Sequence, residues 1–141
     1  MENCASKYSG CLYYSANALA RNMTRLADKA FIGLGMSSSY AFLLMTANEK
    51  PGIQPKEICQ YLQLSPSTVT RLIEKMEYKG LLKRKKVGRK TEVYPTKNGL
   101  AIQSDIIKAW NDLNDRYTSI LGMNFSTQLT TRIHDANLKF E

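Results

Sequence analysis

Residues that build enzyme and metal centres are scarce in this sequence. It contains one histidine, His134, and no pattern of Cys, Asp or Glu at metal-ligand spacing surrounds it. It also lacks a phosphate-binding loop, a Gly-x-Ser-x-Gly motif and paired carboxylates at a plausible turn. A single histidine leaves little material for general-base catalysis. The sequence therefore predicts a protein that is not an enzyme and that carries no metal and no cofactor.

Long apolar runs are absent as well. No stretch of about 18 apolar residues indicates a membrane span, and Met1 is followed by Glu2, whereas a secretory signal would begin with basic residues and an apolar core. Cys4, Cys11 and Cys59 are an odd number of cysteines, which fits a reducing cytosol better than a disulfide framework. We expect a cytoplasmic protein without membrane association.

Positive charge is abundant and unevenly distributed. The chain has 20 Lys and Arg against 12 Asp and Glu, a net charge of +8. Between Arg71 and Lys97 ten basic residues accompany three acidic ones, whereas the rest of the chain is nearly neutral. A focused positive field attracts polyanions, although a solvated basic face would have the same composition.

The two ends of the chain show helical periodicity. Apolar residues recur every three to four positions from Leu12 to Phe31, and they cover so much of the predicted helix that more than one side must be buried. A partner chain is therefore expected to cover part of it. Ile106 to Ile120 follow the alternating four-three spacing of a helix-packing seam, and Ser126 is predicted to start a last helix.

Between these ends, capping and breaking residues predict three shorter helices. Ser37 to Ser39 offer caps for a second helix, which Pro51-Gly52 ends. Pro55 suits the first turn of a third helix. After a three-residue turn, Ser65-Pro66 opens a fourth helix that ends at Lys79-Gly80. The expected buried face of the fourth helix is Val69, Leu72, Ile73 and Met76.

A change of period after the fourth helix predicts a basic β-hairpin. Leu81 to Lys86 and Thr91 to Tyr94 have the composition of two short strands, and Val87 to Lys90 is predicted to connect them. Pro95 is expected to end the second strand, and Thr96 is expected to cap the helix that follows. The connection itself is basic, because it contains the sequence Gly-Arg-Lys.

Two helices joined by a tight turn and followed by a basic hairpin describe a winged helix-turn-helix. The predicted fold class is thus mainly α with a small β-hairpin wing, flanked by helices at both termini. A helix fits the major groove and presents its N-terminal side chains to base edges, and a wing-tip arginine fits the minor groove. Double-stranded DNA is the expected partner. The predicted DNA-binding residues are Ser65, Ser67, Thr68, Thr70, Arg71, Lys75, Lys85, Lys86, Arg89 and Lys90.

Residues 55–100 resemble the multiple antibiotic resistance regulator (MarR) family. The resemblance rests on the runs Ile58 to Leu62, Leu64 to Ile73, Met76 to Arg84 and Arg89 to Gly99. The spacing through the wing is kept, and the order of helices is similar over nearly the whole chain. Two positions depart from the family pattern, because Val87 stands where the family usually has an Asp and Pro95 where it usually has a Leu.

The resemblance implies a homodimer whose first and last helices interlock, with two winged lobes in successive major grooves of a pseudo-palindromic operator. It implies that Arg89 reaches the minor groove, and that the protein is a transcription repressor released by a small-molecule or oxidative signal. We expect one domain of 141 residues. Residues 36–99 would form its DNA-binding lobe, and residues 1–35 and 100–141 a helical dimerisation region.

The cysteines offer one candidate for signal detection. Cys11 lies at the predicted start of the first helix, where helix N-termini lower thiol pKa. Members of the family that sense peroxides use a cysteine in this neighbourhood. The alternative for Cys11 is a small buried hydrophobe. Cys4 is either a resolving partner or part of a frayed terminus, and Cys59 is predicted to pack in the core.

Aromatic residues offer a second candidate. Tyr14 lies beside Cys11, and Trp110 with Tyr117 is a candidate to line a pocket for a small aromatic effector between the dimer helices and the winged lobe. The heptad spacing of Trp110 and Tyr117 favours core packing over a role in an effector pocket.

Two other functions fit the same sequence. A winged-helix protein-interaction adaptor would use the basic face for an acidic partner and would not bind duplex DNA. A redox-sensing regulator would respond mainly through oxidation of Cys11.

Overall fold

The computed structural model describes residues 6–141, so that Cys4 lies outside the described residues. Within this range the chain is mainly helical with one antiparallel hairpin, which confirms the predicted fold class. The elements are α1 (Leu12–Phe31), a 3₁₀ turn (Ile32–Leu34), α2 (Ser38–Glu49), α3 (Pro55–Leu62), α4 (Pro66–Tyr78), β1 (Leu82–Val87), β2 (Lys90–Pro95), α5 (Lys97–Ala101), α6 (Gln103–Leu121) and α7 (Met123–Leu138).

The chain divides into two compact units. The winged unit is Phe31–Trp110, and the helical unit is Met1–Ala30 together with Asn111–Glu141. The expected DNA-binding lobe, residues 36–99, lies within the winged unit. The helical unit consists of most of α1, the C-terminal half of α6 and α7.

The core of the winged unit is built from side chains of α2, α3, α4 and the strands, together with the end of α1 and the start of α6. Fully or almost fully buried apolar side chains there are Phe31, Leu43, Leu44, Ile58, Val69, Ile73, Met76, Val93 and Ile106. The four residues predicted as the buried face of α4 are all buried, at 5% exposure or less. Burying one such side chain contributes about 1.5–3 kcal/mol, so this face anchors α4 firmly.

Capping residues determine where α4 and α5 begin. Ser65 caps α4, and Pro66 is its first residue, as predicted. The turn before it contains Gln63 in the left-handed conformation, at φ 55°. Thr96 caps α5, because its hydroxyl accepts a hydrogen bond from the backbone of Gly99 at 3.1 Å.

The helices after the hairpin differ from the prediction in two places. The helix expected after Thr96 is two helices, α5 and α6, separated at Ile102. The last helix begins at Met123 and not at Ser126, because Gly122 ends α6 at φ 84° and α7 follows at once. Ser126 is buried inside α7, where its hydroxyl donates to the carbonyl of Met123 at 3.0 Å.

The hairpin is longer than predicted, and its loop is shorter. Val87 and Lys90, which were expected in the loop, pair with each other at the ends of the strands. Only Gly88 and Arg89 remain in the loop, and Gly88 has φ 64°. A two-residue hairpin loop requires a positive φ, which glycine adopts without strain. Strand pairing therefore extends to Val87 and Lys90, the residues on either side of the two-residue loop.

A third backbone segment joins the hairpin. Ile53 forms an isolated antiparallel bridge with Val93, and the backbone N–H of Val93 donates to the carbonyl of Ile53 at 2.9 Å. Gly52 donates in turn to the carbonyl of Val93 at 2.9 Å. The segment between α2 and α3 therefore holds the second strand of the wing.

No single helix of residues 6–141 is long and apolar enough to span a membrane, and only one bent pair of neighbouring helices meets the length and composition requirement when joined. In the same range, no group of three or more His, Cys, Asp or Glu side chains is arranged to hold a metal ion.

Gly99 provides a test of the packing between α5 and the wing. A Cβ at this position would lie 2.3 Å from the carbonyl oxygen of Leu81 and 3.0 Å from Cδ1 of Leu44. Because backbone must move to admit it, we expect Gly99→Ala to lower the free energy of unfolding by about 1–3 kcal/mol, measured by urea denaturation. Gly33→Ala, which meets no atom within 4 Å, should change it by less than about 0.5 kcal/mol. Equal losses at both positions would contradict this packing.

Candidate nucleic-acid interface

One face of α4 is buried, and the opposite face is exposed. The exposed face of α4 is defined here as Ser67, Thr70, Arg71, Glu74, Lys75 and Tyr78. These positions recur at intervals of three or four residues, which places them on one side of a helix. A helix of this diameter fits the major groove of B-DNA. The exposed face therefore has the geometry of a recognition surface.

Hydroxyl groups crowd the N-terminus of α4, but they are not equally available. Ser65 Oγ accepts from the backbone N–H of Thr68 at 3.3 Å and donates to Thr68 Oγ1 at 2.8 Å. Ser65 and Thr68 are thus engaged in capping, and Thr68 is half-buried. Ser67 and Thr70 are exposed and project from the first two turns. Ser67 Oγ also lies 3.3 Å from Ser65 Oγ, so Thr70 is the more available of the two exposed hydroxyls.

Lys75 of α4 and Lys79, which directly follows this helix, lie over one aromatic ring. Lys75 Nζ lies 5.3 Å and Lys79 Nζ 5.8 Å from the ring centroid of Tyr40 on α2. A cation over an aromatic face is attracted by the ring quadrupole. Tyr40 therefore restrains both lysines near the exposed face of α4. No local sequence pattern identifies Tyr40 as a site residue, because its partners are 35 or more residues away.

The strand register separates the lysines of the wing. Lys85 pairs with Glu92, and Lys86 pairs with Thr91. Because side chains alternate between the faces of a strand, Lys85 and Lys86 point to opposite sides of the hairpin. Lys85 faces a carboxylate across the strands, whereas Lys86 faces a hydroxyl. Both were predicted as DNA contacts, and their surroundings differ in charge.

Tyr94 extends the polar face on which Glu92 lies. Its hydroxyl donates to Oε1 of Glu92 at 2.9 Å. This hydrogen bond raises the pKa of Tyr94 above 10.0, with burial and the negative charge of Glu92 acting in the same direction. The hydrogen bond from Tyr94 also restrains the carboxylate of Glu92.

The wing tip is basic and exposed. Arg89 and Lys90 are exposed, and Val87 beside them is 47% exposed. Among residues 6–141 the ion pairs are Arg84–Glu77 and Arg116–Asp112, so no carboxylate braces Arg89. Val87 thus leaves the positive charge of Arg89 uncompensated where the MarR pattern has an Asp.

The ion pair between Arg84 and Glu77 was not foreseen. Nη2 of Arg84 lies 2.7 Å from Oε1 of Glu77, which joins β1 to the last turn of α4. The sequence places a basic residue and an acidic residue in this segment but does not show that they meet across the turn. Glu74, in contrast, is exposed on α4 among the predicted contacts.

The effector candidates lie in different parts of the chain. Cys11 is exposed rather than buried, and its carbonyl accepts the first hydrogen bond of α1, from Ser15 at 3.0 Å. Tyr14 is 41% exposed, and its ring lies 5.6 Å from that of Tyr8. A signal-sensing role for Cys11 or Tyr14 stays a prediction.

Two residues expected in the core are less buried than predicted. Trp110 is 47% exposed, and its ring meets Phe42 edge-on at 6.4 Å. Phe42 in turn meets the buried Phe31 edge-on at 5.8 Å. Cys59 is half-buried on α3. Trp110 therefore caps an aromatic row of the winged unit and keeps one side in solvent.

Tyr117 lies in the helical unit, where its hydroxyl donates to Asn114 at 2.6 Å. It lines an open cavity of about 310 Å³ with residues of α1 and α6, including Leu19, Met23 and Ile120. The predicted effector pocket involving Trp110 and Tyr117 stays a prediction.

These elements define a winged helix-turn-helix protein with an exposed recognition helix and a basic wing. The sequence model of the MarR family matches residues 33–90. Residues 33–90 therefore match the winged helix-turn-helix segment of that family, which confirms the resemblance found in the sequence. No curated protein sequence matches the chain.

Solved structures of MarR-type regulators match almost the whole chain. The PcaV transcriptional regulator from Streptomyces coelicolor, in complex with its natural ligand, has a TM-score of 0.84 at 16% identity, covering 97% of this chain and 99% of that one. MepR from S. aureus, in complex with DNA, has a TM-score of 0.77 at 16% identity, covering 91% and 97%. A MarR family transcriptional regulator from Listeria monocytogenes, complexed with a 26mer DNA, has a TM-score of 0.75 at 18% identity, covering 91% and 87%. The fold is thus shared over both units.

The two serines at the start of α4 should behave differently. Ser65→Ala removes the cap of α4 and should lower the free energy of unfolding by about 1 kcal/mol. Ser67→Ala removes an exposed hydroxyl and should change it by less than about 0.5 kcal/mol. Chemical denaturation of both variants checks this. Ser65→Asn, which retains a capping oxygen, should restore most of the loss, and a loss that Asn does not restore would contradict the capping role.

Proposed function

We propose that this protein is a sequence-specific transcription regulator that binds double-stranded DNA. The observation that carries the proposal is the common location of the exposed face of α4 and the basic wing in the winged unit. Arg71 and Arg89 are both exposed, one on the helix and one at the wing tip. An arginine binds guanine bidentately in the major groove, and an arginine is attracted to a narrow minor groove.

The proposal assigns distinct roles to the predicted contacts. Ser67, Thr70 and Arg71 are proposed to meet bases or nearby phosphates in the major groove. Lys75 and Lys86 are proposed to contact phosphate, which contributes affinity without sequence preference. Arg89 is proposed to enter the minor groove. Ser65, Thr68, Lys85 and Lys90 are proposed to support these contacts from the helix cap and the wing.

We also propose that the active form is a homodimer assembled through the helical unit. Leu12, Tyr13, Ile120 and Met123 are 69–80% exposed there, and burying large apolar side chains of this kind against a second chain would be favourable. Two winged units would then meet a pseudo-palindromic operator. Light scattering should give the mass of two chains, and a monomer at micromolar concentration would contradict this part.

The regulatory part of the proposal rests on analogy with the family. The protein is proposed to act in the cytoplasm as a repressor that occludes a promoter, without enzymatic activity. PcaV was solved with its natural ligand, which supports a small-molecule signal here; Trp110 is the proposed contact for an aromatic effector. Cys11 is exposed, which supports testing an oxidative signal at the same time.

DNA binding is tested by selecting duplexes from a random-sequence pool with the purified protein. Fluorescence anisotropy then compares the selected duplex with a scrambled one at several salt concentrations. Tighter binding to the selected duplex, with a steep salt dependence, is the expected result. Equal, weak binding to both would leave only electrostatic attraction. Absence of binding at low salt would overturn the proposal and favour an adaptor for an acidic protein.

Arg71 should control base preference. Arg71→Ala removes the longest side chain of the exposed face of α4 and should weaken binding to the selected duplex by about 1–3 kcal/mol. The same variant should accept more sequences in a repeated selection, because a base contact is lost. If affinity and base preference are both unchanged, α4 is not the recognition helix.

The two wing lysines should contribute unequally. Lys86→Ala should weaken binding to selected and scrambled duplexes alike and should reduce the slope of log K against log salt by about 1. Lys85→Ala should have a smaller effect, because Lys85 faces Glu92 across the strands. The salt series used above measures both slopes. A larger effect at Lys85 than at Lys86 would contradict the assignment.

A further inference from the structure

One ion pair links the C-terminal turn of α4 to the wing. Nη2 of Arg84 lies 2.7 Å from Oε1 of Glu77, and the two side chains are 38% and 28% exposed. Glu77 belongs to α4, and Arg84 belongs to β1. A partly buried pair is screened less by salt than an exposed one. The pair therefore directly connects the two parts of the candidate interface.

The other hydrogen bonds that attach the wing lie between the level of Arg84 and the ends of the strands farthest from the loop. The hydroxyl of Thr96 donates to the carbonyl of Gly80 at 2.6 Å, and Val93 is bonded to the backbone of Ile53. Arg84 pairs with Val93 and thus lies at the same level of the hairpin. Beyond this level, no hydrogen bond or ion pair between residues that the structure describes ties the hairpin to the rest of the winged unit.

The part of the hairpin beyond Arg84 is long enough that a small tilt moves the wing tip a considerable distance. From Arg84 the strand continues for three residues to Val87, about 10 Å at the rise of a strand. At that length, a tilt of about 10° moves the tip by about 2 Å, whereas the range of good hydrogen-bond distances is only about 0.5 Å wide. The contacts at the level of Arg84, which are the ion pair and the backbone bonds of Val93, therefore limit how far the tip can tilt.

The pair also affects the charge available to DNA. An arginine held by a carboxylate is less available to phosphate, so Arg84 adds little to the positive surface. Glu77→Gln would release Arg84 and would add one net positive charge. Electrostatics alone then predicts stronger binding to any DNA, whereas a role in orienting the wing predicts weaker binding to the preferred sequence.

We propose that the ion pair between Glu77 and Arg84 is a positioning device that sets the tilt of the wing against α4. The pair strengthens binding to the preferred sequence relative to other sequences, although neither side chain needs to touch DNA. The inference rests on the proposed function, duplex DNA binding. It adds a determinant of specificity that lies between the two contact surfaces.

The first test compares Glu77→Gln with the matched variant Glu49→Gln, which makes the same charge change at an exposed residue of α2. Anisotropy with the selected and scrambled duplexes gives the ratio of the two affinities. Glu77→Gln should lower this ratio by about threefold to tenfold, with binding to the scrambled duplex unchanged or stronger. Glu49→Gln should leave the ratio unchanged. An unchanged ratio in Glu77→Gln would overturn the positioning role.

A second variant breaks the same pair with the opposite change of charge. Arg84→Gln removes one positive charge, and it should also lower the ratio of selected to scrambled affinity. If both variants leave the ratio unchanged, while Glu77→Gln strengthens and Arg84→Gln weakens binding to both duplexes, net charge alone acts and the proposal is overturned. Thermal unfolding of each variant shows that the comparison is made on folded protein.

A double-mutant cycle with Arg89→Ala tests whether the ion pair orients the wing tip or only stabilises the fold. Arg89→Ala should cost several-fold less affinity in the Glu77→Gln background than in the wild type, because the wing is already displaced. Additive losses would overturn the proposal, since independent sites add. If the wild type does not distinguish the two duplexes, the proposed function fails. If it does and the ratio survives Glu77→Gln, only the positioning role fails.

Discussion

The burial of one face of α4 is the constraint on which the candidate interface depends. Val69, Leu72, Ile73 and Met76 fix the rotation of this helix about its axis, because all four are packed in the core. At 3.6 residues per turn, that rotation determines which side chains point outward. Arg71 is therefore presented to solvent by the packing of its neighbours, and a change in that packing would redirect every residue of the exposed face.

The wing is held by the same core through its second strand. Val93 is fully buried and accepts and donates backbone hydrogen bonds with the segment before α3. Its partner on the first strand, Arg84, reaches Glu77 of α4. Strand and helix thus meet at one level, so the angle between the two contact surfaces is a property of packing and one ion pair. The basic tip of the wing is oriented relative to α4 by these contacts alone.

Strong local signals allowed much of this fold to be predicted from the sequence. Ser65-Pro66 marked the start of α4 correctly, because the cap and the proline act within one turn of chain. The start of α7 was misplaced, since Ser126 is a good cap but Gly122 ends the previous helix first. The hairpin loop was too long in the prediction because Val87 to Lys90 was assigned to the turn as a unit, whereas the positive φ of Gly88 allows a two-residue loop and lets Val87 pair with Lys90. A contact such as that between Glu77 and Arg84 depends on how α4 packs against β1. Local sequence patterns do not predict that packing.

The charge that the winged unit exposes to solvent differs from the sum of its charged residues, because some of them are paired with one another. Of the acidic residues between Arg71 and Lys97, Glu77 is paired with Arg84, and Glu92 accepts a hydrogen bond from Tyr94. Only Glu74 is left exposed on the recognition helix. The paired carboxylates hold side chains and strands in place, while the remaining cations attract phosphate at long range. Attraction of that kind carries no sequence information, so any preference for one operator has to come from the side chains that α4 and the wing hold at fixed positions.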